Sequence, residues 1–535
     1  MDSTGRHILD LSRRGLLRGA TAAAALAAIL PAGSRQVIAQ PAFRAYPFTQ
    51  GVASGDPLPD GVVIWTRLAP EPLAGGGMPR SAVEVQWEVA SDPAMRQVVQ
   101  KGTALARPEL GHSVHVEVAG LEPARHYHYR FRAGREASPI GHTRTAPALD
   151  AMPAALRYIS AGCQHFEVGH FTAWRHIAEE SEIDFVSHYG DYIYEYRARG
   201  NAPGAVPAIR QHNSDEIYTI DDYRNRYAHY RSDPDLLAAH AAHAFLMSFD
   251  DHEVDNNWAG IYSEEDGSAR FPHAVPPEIF ALRKQIAFQA WYEAMPVRRA
   301  QLPRGADITA WRALRWGRLA DIAVLDTRSY RDDQPCGDIN GAPCPAVANP
   351  AAQVLGPEQE RWLFDRLANT PATWKILAQQ VPLMRRDLGT TSLAISMDKW
   401  DAYPAARSRL LNHIHNHAVK NVTVLTGDVH QAWAGTVHFD PDDSKTPAVA
   451  SEFIATSISS NGDGSEVLPA TERMLARNPH VAFFNNRRGY TLHDMTAART
   501  TATFRGLDYV TRPGAVRVDK GVLVVEAGDA RVEKA

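Results

Sequence analysis

At residues 421–430 the chain reads NVTVLTGDVH, a short β-branched apolar run that stops where Asp428 and His430 follow. Such buried runs are typical of strands covered on both faces by helices. Three further apolar runs end in the same way, at residues 155–163 (ALRYISAGC), 184–191 (DFVSHYGD) and 244–252 (AFLMSFDDH). Ligands of open α/β sheets bind outside the carboxyl ends of the strands. The four endings therefore predict one metal-dependent active site.

Composition and charge limit the classes of protein to which this chain could belong. The 535 residues are 44% apolar and 22% charged, which is typical of a globular protein with room for two or more domains. The formal net charge is −5, and no lysine and arginine cluster stands out. A nucleic-acid polymer is therefore not expected as a partner.

The N-terminal residues 1–39 have the pattern of an export signal. Arg13 and Arg14 precede an Ala/Leu stretch at residues 20–30, and small residues then lead to a plausible cleavage point after Ala39. Paired arginines before a short apolar region indicate the twin-arginine pathway. We expect the export machinery to be a partner and the mature protein to be periplasmic or secreted; the alternative is a disordered basic tail. No later run resembles a membrane span.

Residues 43–147 are predicted to form an all-β domain. Short runs in which apolar and polar residues alternate, or which are apolar throughout, are separated by clusters of Gly, Pro and Asp. This pattern favours a sandwich of immunoglobulin or fibronectin type. The predicted strands include residues 62–66, 83–89, 115–118 and 127–132.

From residue 155 to about 530, strands alternate with helical stretches, which predicts a mostly parallel sheet with helices on its faces. The fold class is therefore α/β (α+β), with the β-sandwich domain in front. Long loops usually belong to function, and here they are predicted at 195–220, 253–275 and 329–355. The predicted helices are 171–180, 277–295, 357–367 and 405–419.

The three cysteines divide into a possible pair and a single residue. Cys336 and Cys344 lie eight apart in a Pro/Gly-rich loop and could close a small ring in an exported protein. Cys163 is left over, at the end of a predicted strand. It is either a metal ligand or a buried, inert thiol.

The polar residues at the strand ends suit metal binding. Asp191 and Tyr194 form Gly-Asp-x-x-Tyr, in which a carboxylate can bridge two ions and a phenolate suits a hard, ferric-type ion. Asp428 and His430 are two apart, so in an extended segment they lie on the same side. Residues 250–253 place four ionisable groups directly after an apolar strand. Taken alone, the tyrosine could be a packing residue and residues 250–253 a solvated loop.

The order of these motifs resembles that of the calcineurin-like metallophosphoesterases, purple acid phosphatases among them. The chain departs from their usual pattern at Cys163, at Asp251 in place of Asn, and at Asp428 in place of His. These departures match the alkaline phosphatase D (PhoD-like) family, and the resemblance covers nearly the whole chain. Five longer runs carry it: FTQGVASGDPLPDGVVIWTRL, HYGDYIYEY, FDDHEV, LDTRSYRDDQPCGD and LTGDVHQAWAG.

The resemblance implies a ferric ion next to one or two calcium ions. Carried over by position, the predicted iron ligands are Cys163, Asp191, Tyr194 and His430. Asp191 would also bridge to calcium, for which Asp251 and Asp428 supply further oxygens. Calcium takes six to eight oxygen ligands, so water, substrate or main-chain oxygens would complete its shell.

The predicted function is hydrolysis of small-molecule or lipid phosphate monoesters, diesters or both, by attack of a metal-activated water or oxide. His252 is predicted to donate a proton to the leaving group or to stabilise it, or else to support Asp251. Arg328 either neutralises phosphate or forms a structural pair with an aspartate. The alternatives are a phosphodiesterase of phospholipase D type and an exported binding protein with an inactive phosphoesterase domain.

Overall fold

The computed structural model describes residues 43–199, 206–264, 266 and 272–535. The predicted export signal at residues 1–39 lies outside this range. The described residues before 150 contain strands and one short 3₁₀ turn but no α-helix. These strands are β1 (Val52–Leu58), β2 (Gly61–Arg67), β3 (Val83–Ala90), β4 (Val98–Ala106), β5 (Ser113–Ala119), β6 (His126–Ala133), β7 (Glu136–Ala137) and β8 (Gly141–Arg144).

Strands and helices alternate in the rest of the described chain. The strands are β9 (Leu156–Ala161), β10 (Phe185–His188), β11 (Ala244–Met247), β12 (Arg312–Trp316), β13 (Ala320–Val324), β14 (Trp374–Ala378), β15 (Val422–Thr426), β16 (Ala432–His438), β17 (Ala448–Ile454), β18 (Gly464–Ser465), β19 (Val481–Met495), β20 (Arg499–Leu507), β21 (Arg517–Glu526) and β22 (Glu533–Lys534). The helices are α1 (Thr172–Glu179), α2 (Ile220–Tyr230), α3 (Pro234–Ala242), α4 (Pro277–Ala294), α5 (Gly356–Asn369), α6 (Pro404–Asn416) and α7 (Thr471–Arg477).

Two mixed sheets form the centre of the molecule. In the first sheet, β9, β10, β11 and β1 are parallel neighbours, and the flanking strands β2, β5, β19, β20, β21 and β22 are antiparallel. In the second sheet, β13, β14, β15 and β17 are parallel, with β12 and β16 antiparallel at the sides. The long strand β19 pairs with β16 through its first residues and with β9 through its last ones.

The two sheets pack face to face. One apolar core joins Phe185 and Leu246 of the first sheet to Ile376 and Phe453 of the second. Helices α1 to α4 cover the outer face of the first sheet, and α5 and α6 cover the outer face of the second. The prediction of large sheets flanked by helices is confirmed. The prediction of a mostly parallel sheet with helices on both faces is wrong, because burial of a strand face does not show whether a helix or a second sheet covers it.

All four predicted helices are present, as α1, α4, α5 and α6, with ends shifted by a few residues. The sequence pattern did not predict α2, α3 and α7. Helix α2 begins at a reciprocal capping box, in which the Thr219 side chain accepts from the Asp222 amide and Asp222 accepts from the Thr219 amide. This signal lies inside the sequence DEIYTIDDYRNRY, whose tyrosines and aspartates are poor helix formers.

The strands before residue 150 are divided between the first central sheet and a further, smaller sheet. β3, β4, β6, β7 and β8 make a separate sheet, and its apolar face packs against β1, β2 and β5 through residues such as Val62, Val85 and Phe131. Because β1 also pairs with β11, the first central sheet continues from this region into the rest of the molecule.

Two further features concern the cysteines and the membrane. Cys336 and Cys344 are joined in a disulfide, and Cys163 is a buried free thiol. Among the described helices, none is both long enough and apolar enough to cross a bilayer.

Candidate active site

The four strand endings meet at one edge of the molecule. Cys163 follows β9, Asp191 follows β10 and Asp250 follows β11, all in the first sheet, whereas Asp428 follows β15 in the second sheet. Since the parallel strands of both sheets end on this edge, residues far apart in the sequence come into contact.

The ligand atoms of the predicted residues fall into overlapping groups. Within each group the donor atoms lie within 4.8 Å of one another: Cys163 with Asp191 and His430, Asp191 with Asp251 and His252, and Asp250 with Asp251 and Asp428. The hydroxyl of Tyr194 donates to Asp191 Oδ2 at 2.9 Å and lies 3.1 Å from His430 Nε2. The structure thus brings all the predicted metal ligands together.

One aromatic ring, that of Tyr189, packs against loops from both sheets at the site. The Tyr189 ring lies between two glycines that precede ligands: a Cβ on Gly162 would come within 2.5 Å of this ring, and a Cβ on Gly427 within 2.1 Å. Real Cβ atoms do not come so close, so only glycine fits at either position. The loops that carry Cys163 and Asp428 are therefore fixed against the same aromatic ring.

Four of the predicted ligands have a left-handed backbone. The φ angles are 51° at Cys163, 54° at Asp191, 66° at Asp428 and 57° at His430. Non-glycine residues adopt this conformation at a cost, and such residues cluster at functional sites.

Glu253 holds two of the ligand loops in place. Its buried carboxylate accepts hydrogen bonds from the amides of Asp191 (3.1 Å), Tyr192 (2.7 Å) and Asp250 (2.9 Å). One side chain thereby fixes the ends of β10 and β11 relative to each other.

Cys163, Tyr194 and His430 form what we call the thiol–phenol side. Ser460 connects two of them, because its hydroxyl lies 2.7 Å from the Tyr194 hydroxyl and donates to the Cys163 carbonyl at 2.8 Å. Burial, together with the charge of nearby Asp191, raises the pKa of both Cys163 and Tyr194 well above their ordinary values. Both groups stay protonated until a cation displaces the proton.

Asp250, Asp251 and Asp428 form the carboxylate side. Arg328 Nε donates to Asp250 Oδ1 at 2.6 Å, and Lys399 Nζ lies 2.5 Å from Asp428 Oδ2. Burial raises the pKa of Asp250 and of Asp251, and the charge of Arg328 opposes this rise.

Several carboxylate oxygens at the site are buried without a hydrogen-bond partner. They are Asp191 Oδ1, Asp250 Oδ2 and Asp251 Oδ1. An unsatisfied buried oxygen of this kind is costly and calls for a bound water or ion. Three such oxygens, next to a thiol, a phenol and an imidazole, fit bound metal cations.

Arg328 is completely buried and its guanidinium is already occupied. Besides Asp250, it binds Asp398 through both terminal nitrogens, at 2.7 and 3.0 Å. It also approaches Asp251 and Asp428, at 3.6 and 3.5 Å. Of the two roles left open for Arg328, these contacts favour the structural pair, with Asp250 and Asp398 as its partners.

His252 lies beside Tyr194, with the ring centroids 4.0 Å apart. Its Nδ1 is 2.8 Å from Glu195 Oε2, and the other oxygen of Glu195 accepts from the Asn256 amide at 2.9 Å. Burial would lower the pKa of His252, but the charges of Glu195, Asp251 and Asp191 raise it well above its ordinary value. The imidazole is therefore oriented and kept protonated.

A further set of possible donors lies behind Tyr194, namely His165, Glu167 and His212. The His165 ring stacks on Tyr194 with centroids 4.3 Å apart. Both ring nitrogens of His212 are in use, with the Tyr196 carbonyl and the Tyr230 hydroxyl at 2.9 Å each. His212 is therefore held by hydrogen bonds, and His165 packs on the ring of the predicted ligand Tyr194.

The sequence pattern gave no specific role to several residues that shape the site: Glu195, Glu253, Asp398, Lys399 and Ser460. Glu195 directly follows the predicted ligand Tyr194, and Glu253 directly follows the predicted proton donor His252, so their position in the motifs was a usable signal. Asp398 and Lys399 lie in the sequence SMDKW, where no apolar strand precedes them. Only the folded chain shows their contacts.

Comparison with known proteins agrees with this geometry. A family model described as PhoD-like phosphatase matches residues 158–504, and one for the N-terminal domain of PhoD-like phosphatases matches residues 33–147. The chain belongs to the PhoD-like phosphatase family. The resemblance drawn from the motifs is thus confirmed.

Two relatives show how far the similarity to PhoD-like phosphatases extends. Alkaline phosphatase D of Bacillus subtilis (strain 168) is 46% identical over 527 residues, which cover 98% of this chain and 89% of the relative. A solved structure described as that of PhoD matches with a TM-score of 0.89 and 46% identity, over 92% of this chain and 93% of the other.

Proposed function

We propose that this protein is a metal-dependent phosphoric ester hydrolase that acts on phosphate monoesters, diesters or both. The observation that carries the proposal is the convergence of the strand endings on one site that contains three orphaned carboxylate oxygens. Membership of the PhoD-like phosphatase family supports it independently.

The two sides of the site suit different metals. Cys163, Asp191, Tyr194 and His430 would hold a ferric ion, because thiolate and imidazole are ligands that iron accepts and a trivalent ion can displace the phenol proton. Asp251 and Asp428, with Asp191 shared, would hold one or two calcium ions through oxygen ligands. When bound, such metals polarise the phosphoryl group and lower the pKa of a water nucleophile.

The side chains of the protein supply orientation and a proton. With Nδ1–H donated to Glu195, the protonated imidazole of His252 has its Nε2–H available for the leaving-group oxygen. Arg328 fixes Asp250 relative to the other carboxylates, which keeps the geometry of the carboxylate side constant. Glu195 acts through His252 and is therefore a positioning residue.

Export and domain roles complete the proposal. Residues 1–39 would direct the folded protein through the twin-arginine machinery, so that it acts in the periplasm or outside the cell. Residues 43–147 would form an N-terminal β-sandwich domain and residues 155–530 the metallophosphoesterase catalytic domain. The sheet that they share through β1 and β11 holds the sandwich against the catalytic part.

Hydrolysis of nitrophenyl phosphate and bis-nitrophenyl phosphate by the purified protein, before and after calcium chelation, tests this function. We expect hydrolysis that chelation abolishes and that added calcium restores. Cleavage of the diester alone would favour the phospholipase D-type alternative. Absence of hydrolysis by protein that contains iron and calcium would contradict the proposal and favour the binding-protein alternative.

A further inference from the structure

Arg386 is a buried arginine whose guanidinium has no partner of opposite charge. The residue is 6% exposed, and its Nε is buried without a hydrogen bond. Within the described part of the chain, no carboxylate or carbonyl accepts a hydrogen bond from its side chain. Its neighbour Arg385 differs, because it forms ion pairs with Asp401 and Asp442.

The guanidinium of Arg386 is held in place without being neutralised. It lies over the Trp433 ring, 4.7 Å from the centroid, a contact that orients the planar group but leaves its outer N–H groups available. The main-chain amide of Arg386 donates to Asp401 Oδ2 at 3.0 Å. Just before Arg386 in the chain, the amides of Leu383 and Met384 donate to Glu452, at 2.9 Å and 2.6 Å.

The acids close to Arg386 are committed elsewhere. Asp401 Oδ1 accepts from Arg407 at 2.6 Å and from Arg385 at 3.2 Å. Glu452 is occupied by the two amides and by the Thr426 hydroxyl, which donates to it at 2.9 Å. Asp428 is paired with Lys399. The segment is thus fixed by acids that bind its backbone, and one cationic side chain remains free.

This free cation lies on the edge where the metal ligands converge. Arg386 follows β14, the strand next to β15, and Asp428 stands at the end of β15. Trp433, on which Arg386 packs, follows the ligand loop that contains Asp428 and His430. Burial lowers the pKa of Arg386, and the charges of Asp401, Asp428 and Glu452 oppose this effect.

A buried and unpaired cation is unfavourable unless an anion joins it. We propose that Arg386 binds the phosphoryl group of the substrate, and afterwards the product phosphate, beside the carboxylate side. This inference rests on the proposed phosphoesterase function. The planar fork of the guanidinium matches two phosphate oxygens. Arg328, the arginine suggested by the motif, is already saturated by carboxylates.

The test uses the metal-loaded full chain and three variants. Arg386→Met keeps the packing on Trp433 and removes the charge, Arg386→Lys keeps the charge and removes the fork, and Arg385→Met is the matched control. Calorimetry measures the binding of inorganic phosphate. Assays with nitrophenyl phosphate give KM and kcat, and elemental analysis gives the metal content.

We expect Arg386→Met to weaken phosphate binding and raise KM by about tenfold to a hundredfold, the loss expected for a charged hydrogen bond. Metal content should not change. Arg386→Lys should fall between this variant and the parent, and Arg385→Met should resemble the parent.

The inference would be overturned if Arg386→Met had the same metal content, phosphate affinity and KM as the parent. An equal change in Arg385→Met would overturn it as well. If Arg386→Met does not fold, unchanged phosphate affinity and KM in Arg386→Lys would overturn it instead. A parent protein that hydrolyses no ester would contradict the proposed function, whereas the phosphate calorimetry would still decide the role of Arg386.

Discussion

The thiol–phenol side and the carboxylate side of the site manage charge in opposite ways. Arg328 and Lys399 contact the carboxylate side, so its acids are partly neutralised within the protein. On the thiol–phenol side, Tyr194 is hydrogen-bonded to Asp191 and Ser460, and its proton and that of Cys163 take the place of a cation. The first arrangement suits a divalent ion bound through oxygen. The second suits an ion charged strongly enough to displace two protons.

Asp191 lies between the two sides, with its donor atoms within 4.8 Å of those of Cys163 and of Asp251, so its replacement should have the largest effect. Asp191→Asn removes the charge that the two metals would share. We expect loss of both metals and a fall in kcat/KM that exceeds the roughly 10–100-fold typical of outer-shell changes. Elemental analysis and a nitrophenyl phosphate assay measure both quantities.

Asp321→Asn provides the matched control for Asp191→Asn. Asp321 is also buried, but it pairs with Arg366 and Thr370 away from the site. This variant should lose stability and keep its metals. Retention of both metals by Asp191→Asn would show that the two sides do not share this carboxylate.

Glu195 should have a smaller effect that is confined to the proton donor. In Glu195→Gln the imidazole of His252 loses its charged partner, so we expect a decrease in kcat of roughly 10–100-fold with both metals retained. The decrease should be larger for phenyl phosphate than for nitrophenyl phosphate, because the poorer leaving group needs the proton more.

The control for Glu195→Gln is Glu216→Gln, since Glu216 contacts Arg283 and is not a partner of His252. Equal losses on the two substrates would assign Glu195 a purely structural role. Loss of iron in Glu195→Gln would instead tie Glu195 to the thiol–phenol side.

His493 should affect stability alone, with the smallest effect on the chemistry. It is fully buried between the two sheets, stacked on Tyr158 at 4.7 Å, and neither ring nitrogen has a hydrogen bond. Burial lowers the pKa of His493 to about 3. The unfolded chain therefore binds the additional proton between about pH 6.5 and pH 3, and stability is lost as pH falls through this range.

His493→Phe should remove this contribution, about 1.4 kcal/mol per pH unit below pH 6.5. Thermal unfolding between pH 4.5 and 8 measures it, with exposed His273→Phe as control. The advantage of His493→Phe over the parent should grow as the pH falls. A constant difference across the pH range would contradict the lowered pKa.

The two sides also differ in how far the sequence could predict them. Strand endings predicted Cys163 and Asp191, because each directly follows an apolar run, and motif spacing predicted Tyr194 three residues after Asp191. The charge balance of the carboxylate side could not be predicted, because Asp398 and Lys399 lie in an irregular segment between β14 and α6. Local hydrophobic periodicity does not predict ion pairs between residues that are far apart in the sequence.

The fold shows the same limit. The apolar runs predicted buried strands correctly. The residue pattern of a buried strand is the same, however, whether a helix or a second sheet covers its faces. The stacking of the two sheets is therefore visible only in the structure. That stacking is what brings Asp428 and His430 of the second sheet to the ligands of the first.

Metal analysis of two single variants, Cys163→Ser and Asp428→Asn, tests the division of the site most directly. We predict that Cys163→Ser loses iron and keeps most of its calcium, and that Asp428→Asn loses calcium and keeps most of its iron, with hydrolysis reduced in both. Both metals retained at parental levels in both variants, with normal turnover, would contradict the assignment of the two sides.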